Sequence, residues 1–225
     1  MQRTQGSRLY SASDLVNFAA CTHLTHLDLV NLETPLPKAE DTDEMALIQG
    51  KGFEHEARYL EVLGQQNGAV TNLKVDGASD HAASQVTREA LHRGDKVLFQ
   101  ATFLSKPWVG HADFLIRVNT PSALGDYSYE VVDTKLARSS KAKFLLQLCL
   151  YSELLAEVQG CMPRRMHVVL GDGRKESFRV DDYLRYHRQL KQRFLVWVDQ
   201  GERESYPDRI DHCSMCRWRE RCGDQ

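Results

Sequence analysis

The chain lacks any long apolar segment. No uninterrupted apolar run approaches the roughly 18 residues that a membrane-spanning helix needs. The opening sequence, MQRTQGSRLYSASDL, has no apolar core of the kind that secretion signals carry. We therefore expect a cytoplasmic protein that has no membrane partner.

A strong net charge is also missing. The 29 Lys and Arg residues nearly balance 31 Asp and Glu residues, and the formal net charge of −2 excludes a simple polycation. The balance is uneven, because residues 130–225 hold 18 basic against 15 acidic side chains and residues 1–129 hold 11 against 16. A local basic groove for a polyanion is therefore compatible with the total charge.

Cysteines are few, and no repeat or low-complexity segment is present. Six cysteines cannot form a disulfide framework for 225 residues, and without a secretion signal, clustered cysteines more often bind a metal or a cluster. With 42% apolar and 27% charged residues, the composition is that of an ordinary soluble globular protein with one sizeable core.

Periodicity and turn signals predict a mixed α/β architecture. Ser11 and Asp14 have the spacing of a capping box, so a first helix starts there and carries Cys21. Pro35 and Pro37 mark a loop before a second helix. The further predicted elements are helices at 44–63, 79–92, 141–159 and 181–200, strands at 70–75, 96–104, 108–118, 127–134, 166–170 and 176–180, and a hairpin turn at 171–174.

The triplet Asp133-Thr134-Lys135 is the first chemical pattern. On a strand, Asp133 and Lys135 project from one face, while Glu130 points to the other face and is a poorer ligand candidate. Phosphodiester hydrolysis needs an activated water and charge compensation, which Mg²⁺ or Mn²⁺ supplies when hard oxygen ligands hold it. Asp113, on the preceding strand, would lie beside Asp133 in a hairpin. The triplet alone also occurs by chance in surface strands.

Two helical features support this pattern. Gln147 and Tyr151 are one helical turn apart, so they form a polar face on an otherwise apolar helix. Polar groups there need partners, either in an active site or in a satisfied core pair. His55 lies on the second predicted helix, where it is either a metal ligand or a structural histidine.

The second chemical pattern is Cys213-x2-Cys216-x5-Cys222, with Cys21 as a distant fourth thiol. Four thiolates suit a 4Fe–4S cluster or tetrahedral zinc. The three-plus-one arrangement favours a cluster, and a site without metal remains open. Such a site would join the first helix to the last segment. The nearby histidines that would favour zinc are His23, His26 and His212.

The order of these residues resembles the RecB-like branch of the PD-(D/E)XK nucleases. The resemblance rests on one upstream and three downstream cysteines around the carboxylate and lysine residues, a combination similar to the iron–sulfur subgroup that includes AddB-type nuclease domains and CRISPR-associated exonucleases. It covers nearly the whole chain, from Cys21 to Cys222. The residues that carry it between the cysteines are His55, Asp113, Asp133-Thr134-Lys135, Gln147 and Tyr151.

The resemblance implies a restriction-endonuclease-like fold, with a mixed central sheet flanked by helices and helical additions closed by a four-cysteine cluster site. It implies one domain over 1–225, with a nuclease core at about 44–200 and cluster-binding elements at 13–31 and 201–225.

The resemblance also implies roles for the individual residues. Lys135 would be the catalytic lysine, and Gln147 and Tyr151 would lie near the DNA path. The implied Mg²⁺ or Mn²⁺ ligands are His55, Asp113, Asp133 and the Thr134 carbonyl, and the implied ligands of a mainly structural 4Fe–4S cluster are Cys21, Cys213, Cys216 and Cys222.

The expected function is a divalent-metal-dependent DNA nuclease, an exonuclease acting on single-stranded DNA or DNA ends in repair, recombination or defence. A downstream domain or a helicase-type partner is expected with it. The alternative is a non-catalytic nucleic-acid-binding or scaffolding module stabilised by a four-cysteine zinc or iron–sulfur site. Radical chemistry is disfavoured because the C-x3-C-x2-C run is absent.

Overall fold

A six-stranded mixed sheet flanked by helices forms the centre of the computed structural model, which describes residues 1–4, 6–200 and 205–223. The strands are β1 (Gln2–Thr4), β2 (Ser7–Leu9), β3 (Thr71–Asn72), β4 (Val97–Ser105), β5 (Trp108–Val118), β6 (Ser128–Thr134), β7 (Arg165–Val169) and β8 (Lys175–Arg179). The helices are α1 (Ala12–Ala20), α2 (Thr22–Glu33), α3 (Asp43–Asn67), α4 (Asp80–Arg93), α5 (Ala142–Gln159), α6 (Asp181–Asp199) and α7 (Arg219–Gly223), with a short 3₁₀ helix at Asp211–Met215.

The sheet runs β3-β4-β5-β6-β7-β8, and its centre is the antiparallel meander β4-β5-β6. β3 joins β4, and β7 joins β6, in parallel, because α4 and α5 are the crossover connections between those strands. β8 returns antiparallel to β7. The predicted mixed α/β architecture is confirmed.

Most predicted elements lie within a few residues of the observed bounds, but α2 was not predicted. The backbone of Cys21 is extended, with φ −156°, so it ends α1 and starts a second helix. The side of α2 that faces the interior mixes Leu24 and Leu27 with buried His23 and Asp28. Because these polar residues interrupt the apolar stripe, the helical period is hidden in the sequence.

The two faces of the sheet have separate apolar cores. α5 fills one face, where Leu148, Leu150 and Leu155 are fully buried, and α1 and α6 pack against it. α3 covers the other face with Leu63 over Phe114 and neighbouring strand residues. Among the described residues, no helix has the length and apolar content needed to cross a bilayer.

A buried carboxylate joins α5 to α6. Glu153 Oε2 lies 3.1 Å from His187 Nε2 and 2.7 Å from Lys191 Nζ, while its Oε1 accepts a 2.8 Å bond from Arg188 Nε. Burial alone would raise the pKa of Glu153, but these three donors outweigh it and hold the pKa well below its usual range. The ionised carboxylate therefore stabilises the packing of α6.

We predict that Glu153→Gln lowers the free energy of unfolding by about 1–3 kcal/mol at pH 7, because bonds to a charged acceptor are lost. The folded-state pKa is below the unfolded-state value of about 4.3, so the carboxylate stabilises the fold above that pH and loses its contribution as the pH falls further. Urea unfolding from pH 7 to pH 2.5 should show the difference between variant and parent shrinking below about pH 4. Exposed Glu157→Gln is the matched control, and a difference that persists in acid would contradict the prediction.

Candidate active site and cysteine centre

The hairpin β5–β6 brings Asp113 and Asp133 together. The observed register pairs Phe114 with Val132, so Asp113 and Asp133 follow as the next opposed residues. Asp113 Oδ2 accepts bonds from the Thr134 backbone N–H at 2.9 Å and from its Oγ1 at 3.1 Å. Asp133 is 3% exposed. Buried Asp133 and half-buried Asp113 therefore form one acidic group near the end of β6.

Lys135 neutralises part of this charge. Its Nζ lies 2.6 Å from Asp133 Oδ2, in an ion pair whose angles do not make it a hydrogen bond. Burial and the charge of Asp113 raise the pKa of Asp133 well above its usual value. Burial lowers the pKa of Lys135, but the acids around it outweigh this and the pKa is raised. The lysine is therefore held as an ammonium.

Glu56, on α3, is a third carboxylate at this place, and sequence analysis missed it. Its Oε1 accepts a 2.6 Å bond from Gln100 Nε2. Burial, and next the charge of Asp113, raise the pKa of Glu56, while the charge of Lys135 lowers it. Neighbouring residues of a helix point about 100° apart, so without the packing of α3, sequence alone does not decide which acid or histidine faces the strands.

Gln100 has the only left-handed backbone found at a non-glycine residue in the described chain, with φ +59°. It lies opposite Asp113, because Phe99 pairs with Phe114 and Ala101 with Ala112 on either side. This conformation costs on the order of 1 kcal/mol for a residue with a Cβ atom. The departure from regular strand geometry directs the Gln100 amide to Glu56.

His55 lies beside the acidic group and is buried. Its Nε2 is 3.3 Å from the Val169 carbonyl oxygen, which also accepts a 2.8 Å bond from the Lys135 backbone N–H. A carbonyl can only accept, so this Nε2 carries the proton. In the neutral imidazole, Nδ1 is then the nitrogen with the free lone pair.

The face of α5 predicted to be polar meets the same acidic group. Tyr151 is buried, and burial together with the charges of Asp133 and Asp113 raises its pKa. Gln147, one turn earlier, is half-buried. A Cβ atom on Gly110 would come 2.8 Å from Leu154 and 3.0 Å from Tyr151, so only glycine lets α5 approach β5 this closely.

The four cysteines from the two ends of the chain line one cavity of about 830 Å³. Three of their sulfur atoms accept backbone N–H bonds at 3.4 Å. Bonds of this kind stabilise a thiolate that ligates a metal or cluster. The pairs are Cys21 with Leu24, Cys213 with Ile210, and Cys216 with Trp218.

The thiols also affect each other. Burial raises the pKa values of Cys216 and Cys222, and the other cysteines raise both further. All four are free of disulfides in the described chain. Residues 201–204 and 224–225 of the predicted cluster-binding segment lie outside the described residues.

A hydrogen-bonded tryptophan, next to a salt-bridged arginine, fixes the C-terminal segment to α2. Asp28 accepts a 2.8 Å bond from Trp218 Nε1 and a 2.6 Å bond from Arg217. Trp218 is 1% exposed and packs with Leu24, Leu27 and Cys216. This contact places Cys216 near the end of α1 without using any sulfur atom.

Of the histidines that would favour zinc, His212 lines the cysteine cavity. His23 stacks against His26 at 5.9 Å between ring centroids, and its Nδ1 lies 2.9 Å from Ser205 Oγ.

Neither site has the finished geometry of a metal centre. Within residues 1–4, 6–200 and 205–223, no group of three or more His, Cys, Asp or Glu side chains is arranged so that it could hold a metal ion. At the acidic site, Lys135 contacts an oxygen of Asp133, and Gln100 donates a hydrogen bond to an oxygen of Glu56. The donor chemistry nevertheless fits a hard divalent cation, since Asp113, Asp133 and Glu56 exceed the charge of Lys135 by two.

No family model matches the chain, and no curated protein matches it. Among solved structures, the chain is similar to the crystal structure of SSO0001, with 14% sequence identity and a TM-score of 0.40. That similarity covers 99% of this chain and 89% of the other. The inference of function therefore rests on the side chains described above.

We predict that Asp133→Asn raises the free energy of unfolding in EDTA at pH 7, because burial and the charge of Asp113 disfavour an ionised carboxylate at this position. Guanidinium unfolding of both proteins measures the difference. Asp126→Asn, at an exposed site between β5 and β6, should change stability by less than about 0.5 kcal/mol. A less stable Asp133→Asn variant would mean that the Lys135 ion pair outweighs both costs.

Proposed function

We propose that the protein is a divalent-metal-dependent deoxyribonuclease built on a restriction-endonuclease-like core, acting on single-stranded DNA or DNA ends. The observation that carries the proposal is the largely shielded group Asp113, Asp133 and Lys135, in which the ammonium lies 2.6 Å from the buried Asp133. Charged side chains that face each other at a cost in folding free energy are typical of catalytic sites. Glu56 adds a third acid from α3, which was not part of the sequence prediction.

In this proposal, Asp113, Asp133 and Glu56 hold Mg²⁺ or Mn²⁺, with the Thr134 carbonyl and His55 Nδ1 as further donors. When bound, the cation supplies positive charge for the phosphate and a water of lowered pKa. Lys135 has a raised pKa and is an ammonium at neutral pH. It is therefore suited to donate hydrogen bonds to a phosphate oxygen and unsuited to accept a proton.

The start of α5 offers the matching surface for the DNA backbone. Lys141 and Lys143 are exposed there, and Phe144 lies between the site and this surface, with its ring centroid 5.7 Å from Lys135 Nζ. Exposed lysines attract phosphates without sequence preference. Tyr151 and Gln147, farther along α5, line the path to the carboxylates in this proposal.

We further propose that Cys21, Cys213, Cys216 and Cys222 hold a structural 4Fe–4S cluster, with zinc as the lesser alternative. Support comes from their shared cavity and from the three backbone N–H bonds to sulfur. Such a group would join the junction of α1 and α2 to the C-terminal segment. That cross-link closes a loop of nearly the whole chain, which constrains the unfolded state strongly.

We predict that protein purified without oxygen cleaves end-labelled DNA with Mn²⁺ and not with EDTA. Lys135→Ala and Glu56→Gln should each lower the rate at least about 100-fold, as expected for loss of charge stabilisation in the transition state. Lys74→Ala and Glu54→Gln, at exposed sites, are the controls and should keep the parental rate. Cleavage that survives both EDTA and Lys135→Ala would contradict the nuclease, and folded, iron-loaded protein without cleavage would favour a binding module.

We predict that Cys216→Ser yields colourless, poorly soluble protein that has lost its iron, because one of four ligands is missing. Iron content and visible absorbance per protein measure the loss. Cys161→Ser, which changes a half-buried thiol that does not line the cysteine cavity, should keep the parental iron content. A Cys216→Ser protein with normal iron and normal folding would exclude the structural cluster, and zinc in place of iron in the parent would identify the alternative.

A further inference from the structure

A second hydrogen-bonded cluster lies on the opposite face of the sheet from Asp133. Ser177 Oγ lies 2.8 Å from His167 Nδ1, and His167 Nε2 lies 2.9 Å from Glu130 Oε2. The three residues come from the adjacent strands β8, β7 and β6. The proposed nuclease makes no use of this cluster.

With a neutral His167 beside an ionised Glu130, the direction of both hydrogen bonds follows from the chemistry of the groups. An ionised carboxylate can only accept, so Glu130 requires a proton on His167 Nε2. His167 Nδ1 then has a free lone pair and accepts the Ser177 hydroxyl proton. The Arg165 backbone N–H donates a 3.1 Å bond to Glu130 Oε1 and holds the carboxylate in place. Ser177, His167 and Glu130 are therefore arranged as a nucleophile, a base and an acid that orients the base.

The exposure of the three side chains suits these three roles. Ser177 is exposed on β8, the edge strand of the sheet. The side chains of His167 and Glu130 are only 8% and 12% exposed. A substrate can therefore reach the hydroxyl, while the base and its partner are shielded from water.

A cavity of about 490 Å³ lies near this cluster, between α3, β5, β7 and β8, and its lining includes His55 but none of the three cluster residues. Its lining includes Val169 and Lys175, which are paired across β7 and β8. Along each strand, this pair is two residues away from the pair His167 and Ser177. Ile116, which pairs with Glu130, is also part of the lining. The apolar part of this wall comes from Val62, Leu63, Ile116 and Val169.

We propose that Ser177, His167 and Glu130 form a second catalytic site, which hydrolyses small carboxylic esters whose short apolar acyl chain occupies this cavity. Lys175 lies on the same face of β8 as Ser177 and supplies positive charge for the oxyanion. Burial lowers the pKa of Lys175, and the nearby charge of Glu130 opposes this. The ammonium is therefore within electrostatic reach of the cluster.

The reaction needs no further reactant except water. Ser177 Oγ bonds to the ester carbonyl carbon and gives its proton to His167 Nδ1. The carbon–oxygen bond to the alcohol breaks, and the alcohol leaves with that proton. Water then attacks the acyl-serine and gives a proton to His167, which returns it to Ser177 Oγ as the carboxylic acid departs.

The test is labelling by a fluorophosphonate probe, with the adduct located by peptide mass spectrometry, together with hydrolysis of p-nitrophenyl butyrate. Both are run on the full chain in EDTA, which removes the cation of the proposed nuclease, so failure of one proposal is distinguishable from failure of the other. Ser177→Ala changes an exposed side chain and should lower both rates at least about 100-fold. Glu130→Gln should lower them at least about tenfold while Ser177 is present.

Ser139→Ala, at another exposed serine, is the matched control and should keep the parental rates. An adduct on Ser177 in the parent, slowed in Glu130→Gln, supports the proposal. Absence of a Ser177 adduct, equal labelling of Ser139, or hydrolysis that persists in Ser177→Ala overturns it.

Discussion

Two carboxylates held side by side, one buried and one half-buried, are the constraint on which the rest of the structure depends. The β5–β6 register opposes Asp113 and Asp133, and the Thr134 amide and hydroxyl hold one of them in place. Gly110 allows α5 to close over them. Such an arrangement opposes folding on its own, so the apolar cores on both faces of the sheet must offset its cost. The left-handed backbone of Gln100 adds a further cost to folding at the same site.

The molecule separates its chemistry by sheet face. Successive residues of β6 alternate sides, so Asp133 faces α5 whereas Glu130 faces the opposite layer with His167. Buried polar groups in both places are paired with partners from neighbouring strands. One short strand thus serves two independent polar networks, and a one-residue slip in its pairing would exchange them.

Much of this arrangement follows from the sequence, and the failures have physical causes. The turn between two strands predicted the approach of Asp113 to Asp133, and the bounds of β5 matched the prediction. Helix α2 was missed because buried His23 and Asp28 break its apolar stripe. Glu56 was passed over for its neighbour His55, since the rotation of α3 is set by packing of Leu63 on the sheet. The hydrogen-bonded cluster of Glu130, His167 and Ser177 was missed because its members are far apart in sequence.

The Trp218 anchor holds the C-terminal segment to α2 independently of the proposed cluster. Its bond to Asp28 and its packing with Leu24 and Leu27 use no sulfur atom, so they hold the C-terminal segment without any inorganic group. A small zinc finger, in contrast, folds only when its metal binds. This chain instead presents its four thiols as a folded receptacle. If these thiols take up the proposed cluster, loading would therefore resemble the filling of a preformed cavity.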